Sequence, residues 1–290
     1  MPRIIPTAEL VLNPDGSVYH LALHPEDISD VIILVGDPGR VQTVSENFSE
    51  VIVRKQNREF ITHTGFYNRK KISVLSTGIG TDNIDIVLNE LDALVNVDLA
   101  ARKVKHERKK LKLIRIGTSG ALQEDIPVDS FIVSTHGLGF DNLSFFYPFR
   151  TTLPESTIMN RLKKYLGKKY FFPSLYLTQA PGNLIKAVGK GMSAGITATA
   201  PGFYGAQGRM IRIKPSYPVL TEKLSGFRYG NHRIVNFEME TSALYALSRL
   251  LGHEACTVCA VVANRVRGEY SRDYHPVIKK LVRMVLERTF

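Results

Sequence analysis

The sequence contains no tryptophan and only two cysteines in 290 residues. It has no apolar run near the ~20 residues that cross a bilayer. Its first residues, MPRIIPTAEL, lack a long apolar core and a small-residue cleavage site, so we expect no secretory signal and a cytoplasmic location. It also lacks zinc-finger spacing, an RNP-like aromatic motif and the P-loop pattern. These absences argue against membrane partners, nucleic-acid partners and P-loop nucleotide chemistry.

The two cysteines, Cys256 and Cys259, have the C-x-x-C spacing of redox pairs and of half a zinc site. The surrounding segment, EACTVCAVVAN, is small, apolar and rich in β-branched residues, as in a buried strand. No second ligand pair is present in the sequence. We therefore predict two structural cysteines and no metal site.

The charge is strongly positive, with 38 Lys and Arg against 27 Asp and Glu, a net charge of +11. Such a balance favours anionic partners, either nucleic acid or small phosphate-bearing substrates. The one dense basic run spans residues 102–112, and we interpret it as the exposed end of a long helix. With 44% hydrophobic and 22% charged residues, the composition is that of a globular protein.

Apolar runs alternate with amphipathic stretches along the whole chain, which indicates an α/β fold with a buried sheet between helices. We expect one domain over residues 1–290. Strands are predicted at residues 31–35, within a hairpin at 61–76, and at 111–117, 129–136, 194–200, 234–237 and 257–263. Helices are predicted at residues 41–48, 84 to about 110, 157–166, 184–190, 241–251 and 275–288. Residues 140–154 and 202–218 are predicted loops over a site.

Two predicted strand ends carry residues suited to an anion. The strand at 31–35 leads into a turn with Gly36 and Arg40. The strand at 111–117 contains Arg115 and leads into residues 117–120, predicted to form a turn. A strand arginine between isoleucines is costly to bury unless it meets an anion or a carboxylate. Guanidinium groups with turn amides and a threonine hydroxyl form a phosphate cradle. Taken alone, a glycine-rich turn after a strand more often has no ligand than binds one.

Two carboxylates, Glu238 and Glu240, flank Met239 where an apolar strand gives way to a helix. Alternation in a strand places the two carboxylates on one face. They fit a metal site, a glycosidase acid and nucleophile pair, or acceptors for sugar hydroxyls, and one of them fits a helix cap. The segment offers no histidine or third carboxylate, which disfavours the metal.

The loop PGFYGAQGR brings Phe203, Gln207 and Arg209 together. A ring offers a stacking face, and Gln with Arg can hydrogen-bond a flat heterocycle that carries carbonyls and an imide. The alternative is an ordinary surface loop. Arg265 ends another apolar strand and is placed to support the same pocket.

Taken together, the motifs resemble the nucleoside phosphorylase family, and within it the uridine phosphorylase branch. The matching segments are HLAL at residues 20–23, VGDPGR at 35–40, REF at 58–60, RIGTSG at 115–120, FYGAQGR at 203–209, FEMET at 237–241 and ANR at 263–265. They run in the family's order over nearly the whole chain. The resemblance implies a three-layer α/β/α phosphorylase/hydrolase-like fold whose central mixed sheet is partly barrel-like.

The same resemblance implies the site residues. Phosphate would be bound by Gly36, Arg40, Arg58, Arg115 and Thr118. Ribose would be bound by His20, Glu238, Met239 and Glu240, and the base by Ser119, Gly120, Phe203, Gln207, Arg209 and Arg265. The residues that carry the reaction would be Arg115, Gln207, Arg209 and Glu240. Arg58 and His20 would come from a neighbouring subunit, which implies a homo-oligomer with shared active sites, a dimer or a hexamer.

The implied activity is reversible phosphorolysis of uridine to uracil and ribose 1-phosphate, with phosphate as co-substrate and no cofactor. The purine branch places an aspartate where this chain has Asn264 or Arg265, so pyrimidines are favoured. Some bacterial members hold an inter-subunit potassium ion with residues that align with Glu59, Ile79 and a serine. This chain has Asn83 in place of the serine, which disfavours the ion. The alternatives are a purine nucleoside phosphorylase or nucleosidase of the same family, and a basic nucleic-acid-binding module.

Overall fold

The computed structural model describes residues 3–167 and 175–289. The strands are β1 (Val31–Val35), β2 (Glu50–Asn57), β3 (Phe60–Tyr67), β4 (Lys70–Ser76), β5 (Val97–Asp98), β6 (Lys103–Val104), β7 (Lys112–Ala121), β8 (Phe131–Gly139), β9 (Tyr176–Gln179), β10 (Ser193–Thr199), β11 (Arg228–Tyr229), β12 (His232–Glu238), β13 (Glu254–Asn264) and β14 (Glu269–Tyr270). The helices are α1 (Gly39–Ser45), α2 (Thr81–Asn96), α3 (Leu153–Leu166), α4 (Gly182–Val188), α5 (Leu220–Gly226), α6 (Thr241–Leu251) and α7 (His275–Thr289).

Most strands join one mixed sheet in the order β11-β12-β10-β8-β13-β7-β1-β4-β3-β2, with β9 beside β8 and β14 beside β13. A further pairing between β12 and β7 closes five of these strands into a barrel. The expected mixed, partly barrel-like sheet is therefore confirmed.

The side chains of β1 show how the sheet is buried on both faces. Ile32 and Leu34 join an apolar cluster with α2 and α6, whereas Ile33 and Val35 join another with α1, α4 and α7. Successive side chains of a strand point to opposite faces, so a strand apolar throughout needs helices on both sides. The arrangement is the predicted α/β/α sandwich.

The end of β7 differs from the prediction, because residues 117–120 are strand and not a turn. β7 pairs with β1 only as far as Ile116, and with β12 from Gly120 onward. Between these pairings, residues 117–119 have no strand partner on that edge within the described part of the chain. The sheet therefore splits here, just beyond the end of β1.

The predicted helix from residue 84 to about 110 is wrong in its second half, since α2 ends at Asn96. The Asn96 side chain bonds Asp92 and the carbonyl of Lys109, and its Oδ1 accepts from the Lys109 amide at 2.7 Å. These bonds fold the chain back through β5 and β6. The basic run is thus an exposed connection, in which Arg102 has φ 54° and its guanidinium bonds the carbonyls of Ile5, Pro6 and Leu10.

The other predicted elements are present within a few residues, and the hairpin turns at Asn68 and Arg69, both with positive φ. The strand β2 and the helix α5 were not predicted. Cys256 and Cys259 are free and buried in β13, as expected, and burial raises the pKa of both thiols to about 12. Across the described residues, no helix combines the length and the apolar character that spanning a membrane requires.

Candidate active site

A cleft of about 1010 Å³ opens where the sheet splits. The predicted site residues that line it come from five separate segments of the chain. They are Gly36, Arg40, Arg115, Thr118, Ser119, Gly120, Phe203, Gln207, Arg209, Glu238, Met239, Glu240 and Arg265. The structure therefore brings together all the predicted site residues except His20 and Arg58.

Arg115 is the buried centre of the cleft. Its Nη1 lies 3.4 Å from Glu238 Oε2, and its Nη2 donates to Glu240 Oε2. Burial alone would lower the pKa of Arg115, but Glu240 and Glu238 outweigh burial and raise it. A Cβ at position 117 would lie 2.1 Å from Nη1, so glycine at that position leaves the space that the guanidinium occupies. Arg115 is a permanent cation, and both carboxylates lie against it.

Glu238 ends β12, and its carboxylate is fixed by neighbouring donors. It accepts from the backbone amides of Glu240 and Thr241 at the start of α6, and from Thr199 Oγ1 at 2.6 Å. Glu238 therefore also fills the helix-capping role that the sequence left open.

Glu240 occupies the N-cap position of α6, where the backbone is no longer extended. Its Oε1 accepts from the Gly80 amide at 2.8 Å, and its Oε2 accepts from Arg115. Gly80 has φ 102°, a conformation that glycine adopts without strain. Burial raises the pKa of Glu240, Arg115 opposes this and Glu238 adds to it. Glu240 is thus a carboxylate that readily accepts hydrogen bonds or a proton.

Arg40 provides a second cation beside Arg115. Its Nη1 donates to the Ile116 carbonyl at 3.3 Å, and burial followed by the charge of Arg115 lowers its pKa. Two neighbouring guanidinium groups repel each other unless an anion lies between them. Gly36 and Thr118 line the same part of the cleft, where the unpaired edge of β7 begins. Chemically, this end of the cleft is an anion site.

The opposite part of the cleft is formed by the loop before α5. Gln207 is buried, and its Oε1 accepts from Arg209 Nη1 at 2.6 Å. The Arg209 guanidinium also bonds the Phe203 carbonyl and lies 3.8 Å from the Phe203 ring centre. Burial, and then Arg265, lower the pKa of Arg209 to about 10. The sequence predicted Phe203 as a stacking face for the base. In the structure, Arg209 covers one face of that ring.

Arg265 connects this loop to β7. Its Nη2 donates to the Gln207 carbonyl at 3.2 Å, and a Cβ at Gly120 would lie 3.2 Å from the Arg265 side chain. Burial lowers the pKa of Arg265. The contacts thus run from Arg115 along β7 to Gly120, and from there through Arg265 to Gln207.

Asn264 lines the cleft wall but has no free polar group to offer. Its Nδ2 donates to the carbonyls of Gln123 and Ile126, and its Oδ1 accepts from the amides of Val266 and Arg267. The side chain at this position is committed to holding backbone.

His20 and Arg58 lie together outside the cleft lining. His20 Nδ1 is 2.7 Å from Glu90 Oε1, and its carbonyl accepts from Asn57 Nδ2 at 2.9 Å. The Arg58 guanidinium lies 5.8 Å from the ring centre of Tyr19, which is 40% exposed. Two predicted site residues from distant segments therefore share one surface of the same chain.

The structure also places Glu59, Ile79 and Asn83, which align with the potassium position of bacterial members. Asn83 Nδ2 donates to Glu59 Oε1 at 3.3 Å, and Ile79 is exposed beside them. Across residues 3–167 and 175–289, no group of three or more His, Cys, Asp or Glu side chains is arranged to hold a metal ion.

Sequence reasoning missed three parts of the site. The Thr199 hydroxyl and the Gly80 amide position the two carboxylates. Glu269, on the β14 hairpin, is a further cleft carboxylate. Gly80 lies in STGIG directly after β4, and a glycine turn after a buried strand was the available signal. Thr199 carried no signal beyond its place at a strand end.

Comparison with known proteins agrees with this geometry. The sequence model described as "Phosphorylase superfamily" matches residues 30–286. A uridine phosphorylase of Thermococcus kodakarensis is 31% identical over 268 residues, which cover 92% of this chain and 84% of the relative. A DeoD-type purine nucleoside phosphorylase of Geobacillus stearothermophilus is 28% identical over 273 residues, 92% of this chain and 97% of the relative.

Among solved structures, a Trypanosoma brucei nucleoside phosphorylase described as showing uridine phosphorylase activity superposes with a TM-score of 0.88 at 30% identity. The match covers 96% of this chain and 98% of that one. The chain therefore belongs to the phosphorylase superfamily, as a nucleoside phosphorylase. Within that family, the resemblance to the uridine phosphorylase branch is confirmed.

Proposed function

We propose that this protein is a uridine phosphorylase, a pentosyltransferase that converts uridine and phosphate to uracil and ribose 1-phosphate. One observation carries the proposal: a single cleft holds the Arg40 and Arg115 pair, the Glu240 carboxylate, and the Gln207 and Arg209 pair. These three groups suit phosphate, ribose and uracil, and contacts along β7 connect them. The relatives named uridine phosphorylase support the same assignment.

The charges of the cleft fit the charges of the reaction. Breaking the ribosyl C–N bond develops positive charge at the anomeric carbon and negative charge on the base. Phosphate held by Arg40 and Arg115 stabilises that cation and then attacks it. Arg209 and Gln207 donate to the developing uracil anion. The chemistry needs no covalent enzyme intermediate and no resident cofactor.

Glu240 and Glu238 are placed to orient the ribose through its hydroxyls, beside Met239. We further propose that His20 and Arg58 act in the cleft of a neighbouring subunit in a homo-oligomer. Their shared surface supports this, because one docked copy can then supply both side chains. The chain would act as one domain, in pyrimidine salvage in the cytoplasm.

The fully bonded Asn264 supports a pyrimidine substrate over a purine. A purine leaving group is helped by an acid near its ring nitrogens, and an amide committed to four backbone groups supplies none. Gln207 and Arg209, in contrast, match the carbonyls and imide of uracil.

The test follows uracil release from uridine by ultraviolet absorbance, with and without phosphate, and with inosine as the purine control. We expect release from uridine only when phosphate is present, and little reaction with inosine. Release without phosphate would indicate a nucleosidase, and preference for inosine would indicate a purine enzyme. Salt-sensitive nucleic-acid binding without cleavage would reject an enzyme altogether.

A further inference from the structure

The phosphate end of the cleft is electrically balanced before any substrate enters. Arg40 and Arg115 provide two positive charges, and Glu238 and Glu240 provide two negative charges within contact of Arg115. A phosphate dianion adds two negative charges to this site, where Arg115 is already paired with carboxylates, and one Arg58 from a neighbouring subunit would offset only one of them. Uncompensated charge in such a site is costly, so something else must change when the anion binds.

Arg115 is the group for which phosphate competes. Both of its terminal nitrogens face carboxylates, and its buried Nε has no hydrogen-bond partner among the described residues. A bidentate grip on phosphate takes guanidinium donors away from one or both carboxylates. Binding of the anion therefore weakens the attraction that keeps a neighbouring carboxylate ionised.

Glu240 is the carboxylate with fewer other donors. Glu238 retains the Thr199 hydroxyl and two backbone amides when Arg115 turns to phosphate. Glu240 retains the backbone amides of Gly80, on Oε1, and of Met239, and its Oε2 loses Arg115. A buried carboxylate oxygen without a donor is the natural place for a proton.

Other ionisable groups also face the cleft around Glu240. Cys259 of β13 has its pKa raised by burial to about 12, so it is a neutral thiol. The remaining ionisable groups of the cleft come from the β1 turn, the β2–β3 turn, the loop before α5 and the β13–β14 region. They are Asp37, Arg40, Glu59, Arg209, Arg265, Glu269, Tyr270 and Tyr274. Burial and Glu238 already raise the pKa of Glu240 while Arg115 is beside it, and an added anion raises it further.

We propose that Glu240 takes up one proton from solvent when phosphate binds and returns it when ribose 1-phosphate leaves. The proposal rests on the proposed phosphate site. One O–H bond forms at Glu240 and later breaks, no electrons are transferred, and the overall reaction keeps its proton balance. While protonated, Glu240 becomes a hydrogen-bond donor facing the phosphate and the ribose, which an ionised carboxylate is not.

Inorganic sulfate is the probe for this proposal, because it is a dianion that carries no proton of its own near neutral pH. Calorimetric titration in several buffers of different ionisation enthalpy measures the protons taken up per sulfate bound. We expect uptake of up to one proton in the parent protein and none in Glu240→Gln. By linkage, the Kd for sulfate should rise by up to about tenfold per pH unit in the parent and stay flat in the variant.

Glu222→Gln is the matched control, since it removes an exposed carboxylate of α5 that is not part of the cleft lining. It should keep the proton uptake of the parent. Equal uptake in the parent and in Glu240→Gln would overturn the proposal. If Glu240→Gln does not fold, a sulfate Kd independent of pH in the parent, between about pH 6 and 8, overturns it as well.

Two results separate this inference from the proposed function. If the protein releases uracil with phosphate but binds sulfate without proton uptake, or does not bind sulfate, the inference alone fails. If sulfate does not bind, the site requires an anion that carries its own proton, as monohydrogen phosphate does, and Glu240 stays ionised. If uracil release fails while sulfate binding still takes up a proton through Glu240, the proposed reaction fails and the proton-linked anion site stands.

Discussion

At the scale of single residues, Arg209 shows how a side chain is prepared before its substrate arrives. Its Nη1 is held by the Phe203 carbonyl and by Gln207 Oε1, and its plane lies against the Phe203 ring. These contacts fix the guanidinium and leave Nε and Nη2 for a ligand. A donor held in position costs little reorganisation when charge develops on the leaving base.

Replacing Arg209 with alanine should therefore lower kcat/KM for uridine by roughly 100-fold or more, the usual loss for a preorganised donor to a developing anion. Arg212→Ala is the matched control, because Arg212 is an exposed arginine of the same loop and removes the same charge. It should retain near-parental activity. Steady-state kinetics with melting temperatures for both variants provide the measurement, and similar losses in the two would reject the role given to Arg209.

At the residue scale, sequence reasoning anticipated the consequence of one costly burial. An arginine between Ile114 and Ile116 had to meet an anion or carboxylate, and it meets Glu238 and Glu240. Thr199 was not predicted, because one hydroxyl at a strand end is not distinguishable from its neighbours by pattern. The contact between Arg209 and the Phe203 ring was not predicted either. The two residues are six positions apart in a loop, where no regular spacing predicts which side chains meet.

At the scale of elements, the two main errors concern where elements end. The glycine-containing segment after Ile116 has the composition of a turn, but pairing with β12 and β13 keeps it extended to Ala121. That pairing joins segments more than a hundred residues apart, so local composition cannot predict it. The end of α2 depends on Asn96 bonding the chain at Lys109, again a contact made after the helix has stopped.

The barrel strand β8 carries a buried titratable group that links its packing to pH. His136 lies with its ring centre 5.2 Å from that of His232 on β12. Burial, and then His232, lower its pKa from 6.5 to about 4, with Glu155 opposing and Arg249 adding. The unfolded chain thus binds this proton from pH 6.5 downward, whereas the folded chain binds it only near pH 4. The contribution of neutral His136 to stability is complete above pH 6.5 and is lost as pH falls.

We expect this loss to amount to about 3 kcal/mol of the free energy of unfolding between neutral pH and pH 4. Denaturant unfolding at a series of pH values measures it, in the parent and in His136→Gln. The variant should show a flatter pH dependence whatever its stability at neutral pH. His106→Gln, which replaces an exposed histidine in the connection between β6 and β7, should keep the parental slope. A parental slope in His136→Gln would show that another group is responsible.

At the scale of the whole molecule, the site lies where the open part of the sheet gives way to the closed barrel. β1 ends, β7 continues into the barrel, and the gap between them opens the cleft. Ligands in open α/β sheets gather beyond the carboxyl ends of the strands, and here the barrel supplies the second wall. The α/β class followed from apolar alternation alone, whereas the barrel was expected only through the family resemblance, because closure depends on strands far apart in sequence.

The account as a whole depends on the guanidinium groups of Arg40 in α1 and Arg115 in β7 meeting one anion, with a uracil pocket in the same cleft. A crystal structure of the protein with phosphate and uracil measures this directly. We expect phosphate oxygens within about 3 Å of Arg40 and Arg115, and uracil bonded to Gln207 and Arg209. Arg40 and Arg115 directed apart, with phosphate and uracil bound elsewhere or not at all, would contradict the account.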